Sequence, residues 1–73
     1  MPVQIRSYYA PSYIRGMAVY VHKVSRRDKD KFVMNVDWYR KDDVTNKFMS
    51  MDLNQDIVID PKTFGTEWKK LDI

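Results

Sequence analysis

The side chain best suited to acid–base chemistry near neutral pH is histidine, and this 73-residue chain has one, His22. A nucleophile needs such a base beside it. His22 lies between Val21 and Lys23 in an alternating stretch, no serine is spaced to pair with it, and it reads as a partly exposed strand residue. Carboxylate pairs can hold a divalent ion for hydrolysis. They occur at Asp28 with Asp30 and at Asp42-Asp43, each beside Lys or Arg, so solvated ion pairs account for them. The segment Asp52-Leu53-Asn54-Gln55-Asp56 imitates the start of a calcium loop, but Ile57 stands where the sharp turn needs glycine and Thr63 where a bidentate glutamate should close the site. With no cysteine there is no thiolate zinc site, and with only Gly16 and Gly65 there is no glycine-rich phosphate loop. The expectation is a chain with no catalytic residue, no metal and no cofactor, one that binds rather than catalyses.

Residues suited to binding are more numerous. From Arg6 to Arg15 the chain reads Arg-Ser-Tyr-Tyr-Ala-Pro-Ser-Tyr-Ile-Arg, three tyrosines between two arginines with no acid. Aromatic faces stack on bases while guanidinium groups pair with phosphates, and the same residue types dominate protein hot spots. Tyr8, Tyr9 and Tyr13 could equally pack on a small core. A second candidate is Arg26-Arg27-Asp28-Lys29-Asp30-Lys31, a wholly charged tip with four basic and two acidic residues. It would contribute salt-dependent attraction rather than sequence readout. The expected partner-binding residues are therefore Arg6, Tyr8, Tyr9, Tyr13, Arg15, Arg26 and Arg27.

These residues must be positioned by a small sheet. From Gly16 to Ser25, Met17, Val19 and Val21 alternate with Ala18, Tyr20 and His22; from Phe32 to Arg40, Phe32, Met34, Val36 and Trp38 face one way and Asn35 and Asp37 the other. Period two with β-branched and aromatic residues predicts two strands, and the charged tip between them predicts a hairpin. A third strand is predicted over Lys47 to Leu53, a turn at Asn54 to Asp56, and a short buried edge segment at Ile57 to Ile59. Asp60-Pro61 has the form of an N-cap followed by proline at the first helical position. Phe64, Trp68 and Leu71 are spaced as one helix face, although Gly65 also allows a single helical turn followed by a last strand. Val3 to Tyr9 can add a strand, with Ala10 to Arg15 as a loop. The fold class is mainly β (small α+β): three to five antiparallel strands with a short C-terminal helix or helical turn, compatible with an SH3-like or OB-like partial barrel.

Size limits what holds such a fold. A chain this short buries only about 60% of its unfolded surface, and without disulfides one core must come from the 44% apolar residues, 14% of the chain being aromatic. There is one domain, residues 1–73. No stretch approaches the roughly 20 apolar residues of a membrane span, so the reading is a soluble cytoplasmic protein with no membrane partner. Charge is uneven along the chain. Met1 to Arg27 holds five basic residues and no acid, whereas the remaining eight basic residues are outnumbered by ten acidic ones. A basic end of this kind suits DNA, RNA or an acidic protein surface.

In size, lack of cysteine, basic Tyr/Arg N-terminal stretch and acidic-leaning remainder, the chain resembles the small regulators that lytic phages make against host RNA polymerase. That resemblance implies a transcription regulator in the host cytoplasm. Arg6, Arg15, Arg26 and Arg27 would engage a polymerase subunit or nascent RNA, and the rest of the domain would exclude a host factor, altering initiation or termination. A general single-stranded nucleic-acid-binding barrel and a structural or assembly subunit are the alternative readings.

Overall fold

The computed structural model of the chain describes residues 3–72. At its centre is a hairpin of β2 (Met17–Arg26) and β3 (Phe32–Lys41), two ten-residue antiparallel strands. Their register places Val19 opposite Trp38, Val21 opposite Val36 and Val24 opposite Met34, so the apolar sets of both strands share one face. Val19, Val21, Met34 and Val36 on that face are fully buried. The charged tip folds back on itself. Asp28 Oδ1 accepts from the backbone N–H groups of Asp30 and Lys31, and the Arg26 guanidinium donates to the carbonyls of Asp28 and Lys29. A short acidic side chain bonding to its own turn in this way is what orders such a tip.

Both edges of the hairpin are extended. Strand β1 (Tyr8–Pro11) pairs with β2, and β6 (Trp68–Leu71) pairs with β1. The other edge of β3 is shared by two strands in line: β4 (Phe48–Ser50) beside Tyr39–Lys41 and β5 (Gln55–Ile59) beside Phe32–Val36. Helix α1 (Pro61–Glu67) crosses from β5 at one edge to β6 at the other. Asp60 caps it, Oδ1 accepting from the Lys62 N–H at 3.0 Å while Oδ2 meets the Lys31 ammonium at 3.2 Å. The protein is thus mainly β, six antiparallel strands and one short helix. Among the described residues no ladder joins β5 to β6, so the sheet is open. It curls enough for Trp68 on the far edge strand to lie 6.1 Å from Trp38 on β3. Val3, Tyr9, Ile59, Phe64 and Trp68 complete the core.

Four boundaries differ from those predicted. The N-terminal strand begins at Tyr8 and includes Ala10 and Pro11, because Arg6 at φ 56° interrupts the extended backbone before it. The third strand stops at Ser50: Trp38 bonds to both Met51 and Asp52, which breaks the simple pairing. Gln55 and Asp56 belong to β5, opposite Val36 and Asn35, and the turn falls earlier, ending at Asn54 with φ 54°. The apparent helix face of Phe64, Trp68 and Leu71 is divided. Trp68 is already extended (φ −128°, ψ 127°) and starts β6 opposite Pro11, raising the strand count to six. Pairing with β1 and burial of Trp68 outweigh the weak helical preference of a segment interrupted by Gly65.

Truncating Met34, at the centre of the buried face, removes contacts that no neighbour can replace in so small a core. Met34→Ala is expected to destabilise the fold by about 2–5 kcal/mol, read as a lowered urea midpoint. Val58→Ala, on the opposite face of β5, should shift it by less than about 0.5 kcal/mol.

Candidate binding face

The opposite face of the sheet is built by the same alternation together with one irregularity. Between Val21 and Lys23 the β2–β3 register shifts, leaving His22 as the extra residue of a β-bulge. A bulge of this kind bends the strand and re-aims its side chains. Here it returns Val24 to the core while Tyr20, His22 and Lys23 all stand outward, opposite Asp37 and Asn35. Neighbouring strands add to the row. Tyr8 on β1 is directly opposite Tyr20, their ring centres 4.9 Å apart, and Tyr39 on β3 lies 6.1 Å from Tyr8. Tyr39 is paired in turn with Ala18, which is 1% exposed despite lying on this side of the sheet. Three half-buried tyrosines therefore share this face, with Ala18 opposite Tyr39.

Asp37 ties the face together. Its Oδ1 accepts from the Asn54 N–H at 3.0 Å and its Oδ2 meets His22 Nε2 at 2.7 Å. The Asn54 backbone hydrogen bond, followed by the hydrogen bond and charge of His22, holds the Asp37 carboxyl below its ordinary value, partial burial opposing. An ionised carboxylate only accepts, so Nε2 of His22 carries the proton and Nδ1 is left for another partner. The imidazole also sits edge-on to Tyr20 at 5.1 Å. Burial, and then the neighbouring Tyr8, pushes the Tyr39 phenol up, so its hydroxyl remains a donor across the physiological range. Lys23 beside His22, Lys41 two residues beyond Tyr39, and Lys69 opposite Ala10 put exposed ammonium groups around the rings. Arg6 flanks them, its backbone N–H bonded to the Val21 carbonyl.

The residues singled out from the sequence do not form one surface. Tyr8 lies on the outer face. Tyr9 turns the other way, is 3% exposed, packs edge-on to Phe64 and accepts the Gln4 N–H at its hydroxyl. Its ring is a core component with no face to offer. Tyr13 is exposed, edge-on to Trp68 at 5.9 Å, and its phenol is pushed up by burial and then by Glu67. Arg15 sits at the turn into β2. Arg26 and Arg27 lie at the other end of that strand, whose ten residues span roughly 30 Å at about 3.3 Å per residue. Tyr20, Tyr39, His22, Lys23, Lys41 and Lys69 were missed as site residues. The alternation of Tyr20 and His22 against Val19 and Val21 was a readable signal for the first; the company of Tyr8 and Tyr39 needed the register.

Among the described residues no three His, Asp or Glu side chains gather as metal ligands, and no helix is long and apolar enough to cross a membrane. Compared with protein-family models, curated proteins and solved structures, the chain matches none of them.

The Asp37 arrangement sets a pH dependence. A carboxyl whose folded pKa lies below its unfolded value of about 3.9 contributes stability above that value and loses it as pH falls through the lower, folded one. Asp60 acts in the same direction, through the Lys62 backbone hydrogen bond and then Lys31. Urea midpoints measured from pH 7 down to pH 2 should fall on the acid side, and Asp37→Asn should flatten that limb.

Proposed function

We propose that this chain is a non-enzymatic binding domain that holds single-stranded nucleic acid across the outer face of its sheet. The observation that carries the reading is the cluster of Tyr8, Tyr20 and Tyr39, ring centres 4.9 and 6.1 Å apart, bordered by Lys23, Lys41, Lys69 and Arg6. Unpaired bases stack on aromatic rings with about 1–3 kcal/mol per base, and flanking ammonium groups take the phosphates. An open sheet face suits an extended strand better than a small molecule, which needs concave burial. His22 Nδ1 at the end of the tyrosine row adds an acceptor for an N–H group on a base edge. The cytoplasm is the proposed setting, where a cysteine-free chain meets transcripts directly.

The ordered hairpin tip favours a second reading. Arg26, fixed to the carbonyls of Asp28 and Lys29, and its neighbour Arg27 form a preshaped charged projection away from the tyrosines. Such a projection suits an acidic protein surface, including a subunit of host RNA polymerase, and would make the domain a regulator of initiation or termination.

Fluorescence anisotropy with labelled twelve-residue oligo(dT) and oligo(U) separates these readings. Tyr20→Ala and Tyr39→Ala should each weaken binding about tenfold, in line with about 1–3 kcal/mol per stacked base, with Tyr13→Ala unchanged. Lys23→Gln and Lys69→Gln should each reduce the salt slope by about 0.7. Undetectable binding at 50 mM salt, or tyrosine variants that bind as the wild type does, would overturn the nucleic-acid reading. Retention of purified RNA polymerase after nuclease treatment, lost in Arg26→Ala/Arg27→Ala, would support the second.

A further inference from the structure

The edges of the sheet are unequally protected. Exposed strand edges invite pairing with another chain, and charged residues normally blunt them. β6 carries Lys69 and Lys70, and β5 carries Asp56 and leads into Asp60. β4 reads Phe48-Met49-Ser50, followed by Met51, with no charge and no proline. Phe48, Met49 and Met51 are 41%, 59% and 49% exposed, and Val44 and Leu53 add to the same apolar margin. Among the described residues only β3 pairs with β4.

The hydrogen-bond parity of β4 shows what can sit there. Met51 donates to the Trp38 carbonyl and Lys47 accepts from Asp42, so Lys47, Met49 and Met51 direct their backbone groups towards β3. Phe48 and Ser50 therefore present both their N–H and C=O groups to the open edge. Two such edges are self-complementary about Met49. In an antiparallel pair with Met49 facing its own copy, Phe48 of each chain exchanges two hydrogen bonds with Ser50 of the other. The same register lays Asn46 and Lys47 of each copy alongside Asp52 and Met51 of the other, bringing the flanking ammonium near an opposite charge. A hollow of about 490 Å³, lined by Arg40, Val44, Met49 and Met51 among others, adjoins this edge and has room for an incoming methionine side chain.

We propose that β4 pairs with β4 of a second copy around a two-fold axis at Met49. Such an axis is perpendicular to the sheet and keeps the same face of both copies on the same side, giving an isologous dimer. Resting on the nucleic-acid reading, the dimer makes a composite platform. Tyr39, Ser50, Phe48 of the second copy and Lys41 of the second copy fall in one row across the seam, and the two Tyr39 positions, three strands apart at about 4.8 Å each and two residues out of line, are about 16 Å apart. One strand of nucleic acid can then cross both tyrosine clusters, with the two Lys41 side chains between them.

The absence of cysteine makes the test direct. Met49→Cys places its thiol opposite its own copy at a non-hydrogen-bonded pair, where Cα atoms approach to about 4.5 Å, within disulfide reach. Mild oxidation without nucleic acid should yield a disulfide dimer in good yield, while Val44→Cys, exposed but off the axis, yields little. Wild type should sediment as a dimer at micromolar concentration. Ser50→Pro removes only an outward N–H and should sediment as a monomer with unchanged circular dichroism. A wild type that stays monomeric into the millimolar range, or Met49→Cys that cross-links no better than Val44→Cys, would overturn the proposal; if Ser50→Pro fails to fold, the cysteine pair decides alone. The covalent Met49→Cys dimer should bind a 24-residue oligonucleotide at least tenfold more tightly than a 12-residue one. Cross-linking without any oligonucleotide binding would uphold the edge pairing and overturn the proposed function instead.

Discussion

The structure depends on taking one face of the β2–β3 hairpin out of water. Val19, Val21, Met34 and Val36 are fully buried there, and every other element packs over that face or pairs with an edge of the hairpin. A chain of 73 residues without cysteine has no other means of offsetting its conformational entropy. Aromatic residues are prominent among those that cover it. Phe64 from α1 and Trp68 from β6 stack 6.3 Å apart, and Tyr9 meets Phe64 edge-on. Capping by Asp60 and its contact with Lys31 fix where α1 starts, and that determines where Phe64 meets the hairpin.

Committing one face to the core leaves the other free, and the bulge at His22 decides its composition. Without the extra residue, the alternation that buries Val19 and Val21 would turn Val24 outward. With it, the apolar set stays continuous, and His22 and Lys23 join Tyr20 on the exposed side. Asp37 secures this irregular point from two directions, through His22 on β2 and the Asn54 backbone in the loop before β5. One carboxylate thus links the central hairpin to the turn that lets β4 and β5 share an edge of β3. The tyrosine cluster therefore rests on three paired strands rather than on loops.

The same division explains the edges. Strands β5 and β6 bear charges at their margins, whereas β4 is short and apolar and opens beside a hollow. In a domain with so little surface to spare, the unpaired β4 edge and the tyrosine face lie on adjoining parts of one sheet.

Much of this was legible in the residues. The two long strands, their inward sets, the charged tip between them and the Asp60-Pro61 helix start follow from local rules, because side-chain alternation and capping involve residues a few positions apart. The basic, acid-free character of the first 27 residues was equally plain, but it did not describe a surface. Tyr8 and Tyr9, adjacent in sequence, face opposite ways; Arg15 and Arg26 lie at opposite ends of one strand; and Tyr8, Tyr20 and Tyr39, far apart in sequence, share one patch. Trp68, spaced like a helix residue, is drawn into a strand by pairing with β1. Alternation is local and follows from the order of neighbouring residues, whereas strand partners, register and the bulge arise from hydrogen bonds between distant segments, and only the folded chain decides them.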